Sequence, residues 1–213
     1  MRPLTEHTPK PLLSVGGKTL IETHIEQLRD GGVSHIIINT GRLGQQFENK
    51  LGNGKYYGVN LTYSHEGDEP LETGGGIVNA LPLFNDEFFI AINGDIWTDY
   101  DYSLLRKRTA THCHLVLVNN PEHNPQGDFA FSKGRVSNML SGCTPCFTFS
   151  GIAVYARALF KGATHTAFPL TPLLRQAVDN AQASAERYTG KWFDIGTPQR
   201  LTELDQLLLK PKR

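Results

Sequence analysis

The sequence predicts an α/β fold, a mainly parallel sheet flanked by helices. Phe88-Phe89-Ile90-Ala91-Ile92 is apolar without polar alternation, which reads as a strand buried on both faces. Strand-like and helix-like stretches alternate from Thr19 to that run, with short connections that suit right-handed crossovers. A chain of 213 residues can also bury a full core.

The elements follow in order. Thr19 to Asp30 places Leu20, Ile21, Ile25 and Leu28 on one helical face, and Gly31-Gly32 stops it. Val33 to Asn39 is a buried strand. Leu43, Phe47 and Leu51, spaced by four, mark a short helix. Asn53-Gly54 turns the chain into a strand around Val59 to Tyr63. Gly74-Gly75-Gly76 opens a helix through Ala80 and Leu83, and the Phe88 strand follows. Beyond it, Tyr102 to Thr109 reads as helical and His114 to Asn119 as another buried strand. Phe129 to Ser132 and Arg135 to Ser137 form a hairpin about Lys133-Gly134, and Phe147 to Tyr155 is a long strand. Thr171 to Asn180 is a helix with Leu173, Leu174 and Ala177 inward. Gly190 to Thr197 is a strand and turn, and Pro198 opens the last helix. With no linker, repeat or low-complexity stretch, residues 1–213 are expected to form one domain.

Composition narrows the function. Lys plus Arg equals Asp plus Glu, 21 against 21, so no net field recruits nucleic acid or an anionic membrane. No apolar run reaches membrane-span length and the first residues lack a signal-peptide core, so a cytoplasmic location is expected. Three cysteines are too few for a disulfide scaffold. Cys143-Thr-Pro-Cys146 has redox or zinc spacing, but with no second cysteine pair it reads as incidental, His112 and His114 notwithstanding.

Five stretches carry possible chemistry, each with an ordinary alternative. Asn93-Gly94-Asp95 ends the Phe88 strand, and in open α/β sheets ligands bind beyond the strands' carboxyl ends; the triplet also suits a plain loop. Thr8-Pro9-Lys10-Pro11-Leu12 holds Lys10 on stiff backbone, able to aim one ammonium at a phosphate, or simply solvated. Glu66-Gly67 and Pro70-Leu-Glu-Thr-Gly-Gly-Gly76 make a glycine-rich entry to a helix. Free N–H groups there would attract anions, though a glycine triplet can be only a turn. It matches neither a Walker loop nor GxGxxG. Asp194 lies in the apolar Trp192-Phe-Asp-Ile-Gly196, where a buried carboxylate needs a partner and a metal ion is one candidate. Gly127-Asp128-Phe129 places a carboxylate at a hairpin start, able to accept hydroxyl groups of a sugar; Asp194 and Asp128 can each equally be an ordinary turn aspartate.

In this order, Pro-Leu-Thr…Pro-Lys-Pro-Leu, Leu-Glu-Thr-Gly-Gly-Gly, Asn-Gly-Asp and Phe-Asp-Ile-Gly-Thr resemble the sugar-1-phosphate nucleotidylyltransferase family, from Arg2 to the last helix. The likeness is nearest to members acting on UTP and N-acetylmuramate 1-phosphate in cell-wall sugar salvage. Glu66-Gly67, Asn93 to Tyr100, Gly127-Asp-Phe129 and Thr148-Phe-Ser-Gly151 carry that detail. The resemblance implies a Rossmann-like mixed, mainly parallel sheet of the nucleotide-diphospho-sugar transferase type. It implies in-line transfer with release of pyrophosphate and Mg2+ held by Asp95 and Asp194, with Lys10 balancing phosphate charge. Glu66, Gly67, Glu72, Thr73, Gly74 and Asn93 would meet the nucleotide; Gly127, Asp128, Ser150 and Gly151 would meet the sugar. The expected partners are a nucleoside triphosphate and a sugar 1-phosphate, with the chain a monomer or homodimer.

The family's first strand, Gly-rich phosphate loop and catalytic arginine have no counterpart before Met1-Arg2-Pro3-Leu4-Thr5, and Arg2 matches only a variable position. A start codon about a dozen residues upstream is the expectation. On that reading, residues 1–213 alone are expected to fold poorly and lack activity, and the upstream-extended chain to be soluble and active. Mannose or glucose 1-phosphate with another triphosphate, a non-catalytic sugar-nucleotide binder, and a Mg2+-dependent phosphohydrolase using Asp95 stay open as alternatives.

Overall fold

The computed structural model describes residues 1, 3–67, 69–108, 111–138 and 145–210. A short helix α1 (Leu4–His7) and a 3-10 turn (Lys10–Leu12) precede the strand pair β1 (Ser14–Val15) and β2 (Lys18–Thr19). Helix α2 (Leu20–Asp30), strand β3 (His35–Thr40), helix α3 (Gln45–Leu51) and strand β4 (Asn60–His65) follow. Then come α4 (Glu72–Ala80), β5 (Phe88–Ile92), β6 (Ile96–Thr98), β7 (Cys113–Val118), β8 (Phe129–Ser132), β9 (Arg135–Asn138) and β10 (Cys146–Ala156). The chain closes with α5 (Thr171–Asp179), β11 (Ala183–Arg187), β12 (Trp192–Asp194) and α6 (Pro198–Leu209). No described helix is long and apolar enough to cross a membrane.

These elements gather into two compact units, residues 1–69, 93–103 and 191–213 in the first and residues 70–92 and 104–190 in the second. In the first unit, Thr19 caps α2 in a reciprocal box: its side chain accepts from the Glu22 N–H, and the Glu22 carboxylate accepts from the Thr19 N–H at 2.9 Å. The inner face of α2 then buries Ile25 among Leu12, Ile38, Phe47, Leu51 and Leu61. Each such side chain contributes about 1.5–3 kcal/mol of burial. β3 and β4 pair in parallel, with Ile36 opposite Leu61. A separate antiparallel ribbon joins β6 to β12, with Asp194 opposite Ile96. Behind it Ile195 and Leu204 pack with Val15 and Leu20.

The second unit is organised on β10. This eleven-residue strand runs against β7 on one side and against β8 and then β5 on the other. Its register shifts between Phe149 and Ala153, where Gly151 takes φ 79°, a value only glycine adopts cheaply. β11 adds in parallel to β7, β9 pairs with β8, and α5 covers the core through Leu174, Ala177 and Val178.

The α/β class with helices flanking the sheets is as predicted, but three details are corrected. The sheet is not mainly parallel: among the described residues parallel pairing is confined to β3–β4 and β7–β11. The cause is β10, against which β5, β7 and β8 all run antiparallel. Nor is β5 buried on both faces. Phe89 is buried and the other four residues are only half-buried, because β10 is its one strand partner among the described residues. Finally, the helix expected from Tyr102 is a 3-10 turn ending at Leu105. There the Asp101 carboxylate accepts from the Ser103 N–H at 2.9 Å, a local bond that competes with helix formation.

Candidate active site

The first unit brings Lys10, Asp95 and Asp194 together. Pro9 and Pro11 flank Lys10; the turn is closed by Leu12 N–H to Pro9 O at 2.9 Å and pinned by the buried Leu12 side chain. Pro11 lies against Gly94: a Cβ on Gly94 would stand 2.9 Å from the Pro11 ring, so this close approach needs glycine. Lys10 Nζ thereby reaches Asp95 Oδ2 at 2.9 Å. The β6–β12 register carries Asp194 to the same end of its ribbon, and the Ile195 N–H donates to the Asp95 carbonyl at 2.8 Å. Asp194 Oδ2 in turn accepts from Arg200 Nη1 at 2.7 Å.

A buried histidine supports this loop from behind. His24, on the apolar face of α2, lies 2.9 Å by Nε2 from the Ile96 carbonyl and 3.1 Å by Nδ1 from the Tyr102 hydroxyl. Burial drives its pKa down to about 4, against the opposing pull of the Ile96 carbonyl and the Asp95 charge. The ring is therefore neutral at pH 7. It donates Nε2–H to Ile96 and leaves Nδ1 to accept from Tyr102. This fixes the backbone directly after Asp95.

Two hard carboxylates on adjacent strand ends suit Mg2+, which uses one or two protein carboxylates and takes its remaining oxygens from water and phosphates. Among the described residues no group of three or more His, Cys, Asp or Glu side chains could hold a metal ion. Burial pushes the Cys113 thiol up to about 12, and Cys143 of the CxxC lies outside the described residues.

Other expected site residues are placed differently. In the first unit Asn93 is exposed, Glu66 joins Thr40 through its N–H at 2.9 Å, and Gly67 takes φ 79° with open space where a Cβ would be. In the second unit Glu72 and Thr73 are exposed at the start of α4, and Glu72 has φ 56°, a strained value for a side-chain-bearing residue. The glycine triplet is no anion cradle. The N–H groups of Gly74 and Gly75 both point to the Phe168 carbonyl, at 3.0 and 3.3 Å. The space left by their missing side chains is filled by Phe168 and Thr166. A Cβ on Gly75 would stand 2.3 Å from the Thr166 carbonyl oxygen, so Gly75→Ala should cost about 1–3 kcal/mol. A melting temperature equal to wild type would refute this packing role.

Around the hairpin of the second unit, Asp128 accepts from the Phe149 N–H at 2.8 Å and from Asn124 at 3.2 Å. Gly127 takes φ 73° where a Cβ would strike Asn120 and the Phe147 backbone. Ser150 is buried and donates its hydroxyl to the Val116 carbonyl at 2.7 Å. Ser150 and Gly151 thus shape the β10 bulge. Asp128→Ala should lower the melting temperature through the stranded Phe149 N–H. A melting temperature equal to wild type would refute this structural role.

Sequence reading missed Arg200 and His24. Arg200 stood in a helix opening and His24 at a core position of an apolar helix face, the one signal that could have flagged it.

Residues 1–130 match the family model described as nucleotidyl transferase. The chain belongs to that family. This nucleotidyl transferase is 42% identical to the N-acetylmuramate α-1-phosphate uridylyltransferase of Neisseria meningitidis serogroup B, over 97% of its own length and 92% of the relative's. It is 26% identical to the enzyme of the same name from Caulobacter vibrioides, covering 93% and 88% of the two chains. Among solved structures, a candidate glucose-1-phosphate thymidylyltransferase from Bacillus anthracis in complex with sucrose shares the fold with a TM-score of 0.84 at 18% identity, covering 100% of this chain and 92% of that one.

Proposed function

We propose that this nucleotidyl transferase joins UTP and N-acetylmuramate 1-phosphate to form UDP-N-acetylmuramate and pyrophosphate, a step of cell-wall sugar salvage. The observation that carries the reading is the near full-length match to the Neisseria uridylyltransferase. The Lys10, Asp95 and Asp194 cluster supplies the chemistry. A phosphate oxygen of the sugar 1-phosphate attacks the α-phosphorus, a P–O bond forms, and the bond to the β-phosphate breaks with its electrons leaving on pyrophosphate. Little covalent work falls to the protein; positioning and charge neutralisation do the rest.

Lys10 presents one ammonium to the phosphates from a backbone that two prolines stiffen. Asp95 and Asp194 would hold Mg2+, which supplies Lewis-acid neutralisation of the phosphate oxygens when bound. His24 keeps the Asp95 loop in place. We assign Asn93, Glu66 and Gly67 of the first unit to nucleotide recognition and Asp128 of the second to the sugar. Within the second unit Gly74 seats the start of α4 on Phe168.

A substrate matrix tests the proposal. The purified gene product is incubated with UTP, GTP, dTTP or ATP against N-acetylmuramate, mannose, glucose or N-acetylglucosamine 1-phosphate, and pyrophosphate is measured. The highest kcat/KM is expected for UTP with N-acetylmuramate 1-phosphate. A preference for GTP with mannose 1-phosphate would replace the substrate assignment and keep the reaction class.

A further inference from the structure

We infer that Arg200 is a charge-exchange residue: it holds Asp194 while no metal is bound, and transfers its guanidinium to a substrate phosphate when a divalent cation takes the carboxylate. The inference rests on Asp194 being a metal ligand, as proposed above.

Two ion pairs stand side by side in the first unit. Lys10 covers Asp95 Oδ2 and Arg200 covers Asp194 Oδ2, at 2.9 and 2.7 Å, and the Ile195 N–H to Asp95 carbonyl bond ties their backbones together. Each of these cations offsets one carboxylate. A divalent cation on both carboxylates would bring two further positive charges and loosen Lys10 and Arg200 from these pairs, a surplus that a phosphate answers.

Arg200 is built for that transfer. It meets Asp194 through one nitrogen, Nη1, and not through the parallel two-bond fork that binds an arginine most firmly to a carboxylate. The rest of the planar guanidinium keeps its donors for a phosphate, which it matches bidentately. Its side chain is about 29% exposed, so substrate can reach it. Its backbone is fixed: the Thr197 hydroxyl accepts from the Arg200 N–H at 3.2 Å and Pro198 opens the helix. Gly196 leaves the passage. A Cβ there would stand 3.0 Å from Arg200 Nη1 and 3.4 Å from Asp194 Oδ2, crowding the guanidinium as it moves between partners. The coupling is reciprocal. Metal favours phosphate binding because it frees Arg200, and phosphate favours metal because it withdraws the competing cation from Asp194.

The test measures binding in the absence of turnover. Mn2+, which accepts the same oxygen ligands as Mg2+, is titrated into wild type, Arg200→Ala, Arg200→Lys and Asp194→Asn, and the unbound ion is followed by electron paramagnetic resonance. Arg200→Ala should bind Mn2+ alone about 3- to 10-fold more tightly than wild type, since a competing positive charge is gone. With Mn2+ saturating, calorimetric affinity of the same variant for N-acetylmuramate 1-phosphate or for UTP should fall about tenfold or more, the two titrations identifying whose phosphate Arg200 meets. Arg200→Lys keeps the charge without the fork and should lie between. Mn2+ affinity unchanged or weakened in Arg200→Ala, or both substrates binding as in wild type, would overturn the inference. If Asp194→Asn binds Mn2+ as wild type does, the metal assignment itself fails, which is a separate outcome.

Discussion

Asp95→Asn and Asp194→Asn, made separately in the full gene product, will each lower kcat at saturating Mg2+ by about 100-fold or more. The fold will survive. Each change keeps the shape of the side chain and removes one partly exposed ion pair, Lys10 to Asp95 or Arg200 to Asp194. Such pairs contribute about 0–1 kcal/mol, which shifts a melting temperature by only about 2–4 °C in a chain of this size. The catalytic loss is of another order, because an amide cannot supply the negative charge that a divalent cation needs beside two phosphate groups. Stability retained with turnover lost separates a chemical role from a structural one. Near wild-type kcat in either variant would remove that residue from the metal site.

The second large effect is on acid stability, and it centres on His24. Its pKa is about 4 in the folded protein against an ordinary 6.5. The folded form therefore resists protonation while the unfolded chain takes up the proton. Stability is full above pH 6.5 and drains away as pH falls toward 4, by about 3 kcal/mol in all. Protonation of the ring would force a charge between the Ile96 carbonyl and the Tyr102 hydroxyl in a fully buried position. Glu22 acts in a lower window with the same sign. Burial works against its carboxylate, but bonds from Thr19 and Tyr57 and the charge of Lys50 outweigh that and hold it near 2 against an ordinary 4.5. Its stabilisation is present above pH 4.5 and is lost as pH falls toward 2. His24→Gln retains an N–H donor for the Ile96 carbonyl and removes the titration. Urea midpoints followed by tryptophan fluorescence read the first unit alone, since Trp97 and Trp192 both belong to it. Between pH 6.5 and 4.5 the wild-type midpoint should fall steeply and the His24→Gln midpoint should stay flat. Parallel curves would show that the His24 ring does not control acid stability.

Much of the fold was legible in local patterns. The Leu20, Ile25 and Leu28 face, the Asn53-Gly54 turn and the fully buried β7 run all follow from spacing that one element imposes on itself. What stayed hidden depends on partners distant in sequence. An apolar run reveals that β5 meets a core, but not how many strands flank it or which way they run, and β10 decided both. The Gly16-Gly17 turn of the β1–β2 hairpin, with both residues at positive φ, was a readable signal that went unused. Gly74 and Gly75 show the harder limit. An anion-binding loop and a helix packed tightly on Phe168 use the same residue type, and the partner that distinguishes them is more than 90 positions away.

In the site, motif order pointed to Lys10, Asp95 and Asp194, and the fold does place them together. Asp128, Ser150 and Gly151 carried similar motif signals, yet their main visible contacts shape the β10 bulge and its loop. Arg200 and His24 escaped because their meaning lies across the ribbon and behind the loop, where only folding puts them.

The central claim is nucleotidyl transfer at the Lys10, Asp95 and Asp194 cluster, and phosphorus-31 NMR of a single reaction tests it most directly. UTP, N-acetylmuramate 1-phosphate and Mg2+ are mixed with the gene product, and the spectrum is followed as the γ-phosphate signal of UTP decays. The account predicts equal growth of pyrophosphate and of the paired resonances of a sugar diphosphate, at a rate that the Asp95→Asn variant abolishes. Inorganic phosphate appearing in place of pyrophosphate, or turnover that Asp95→Asn leaves intact, would contradict it.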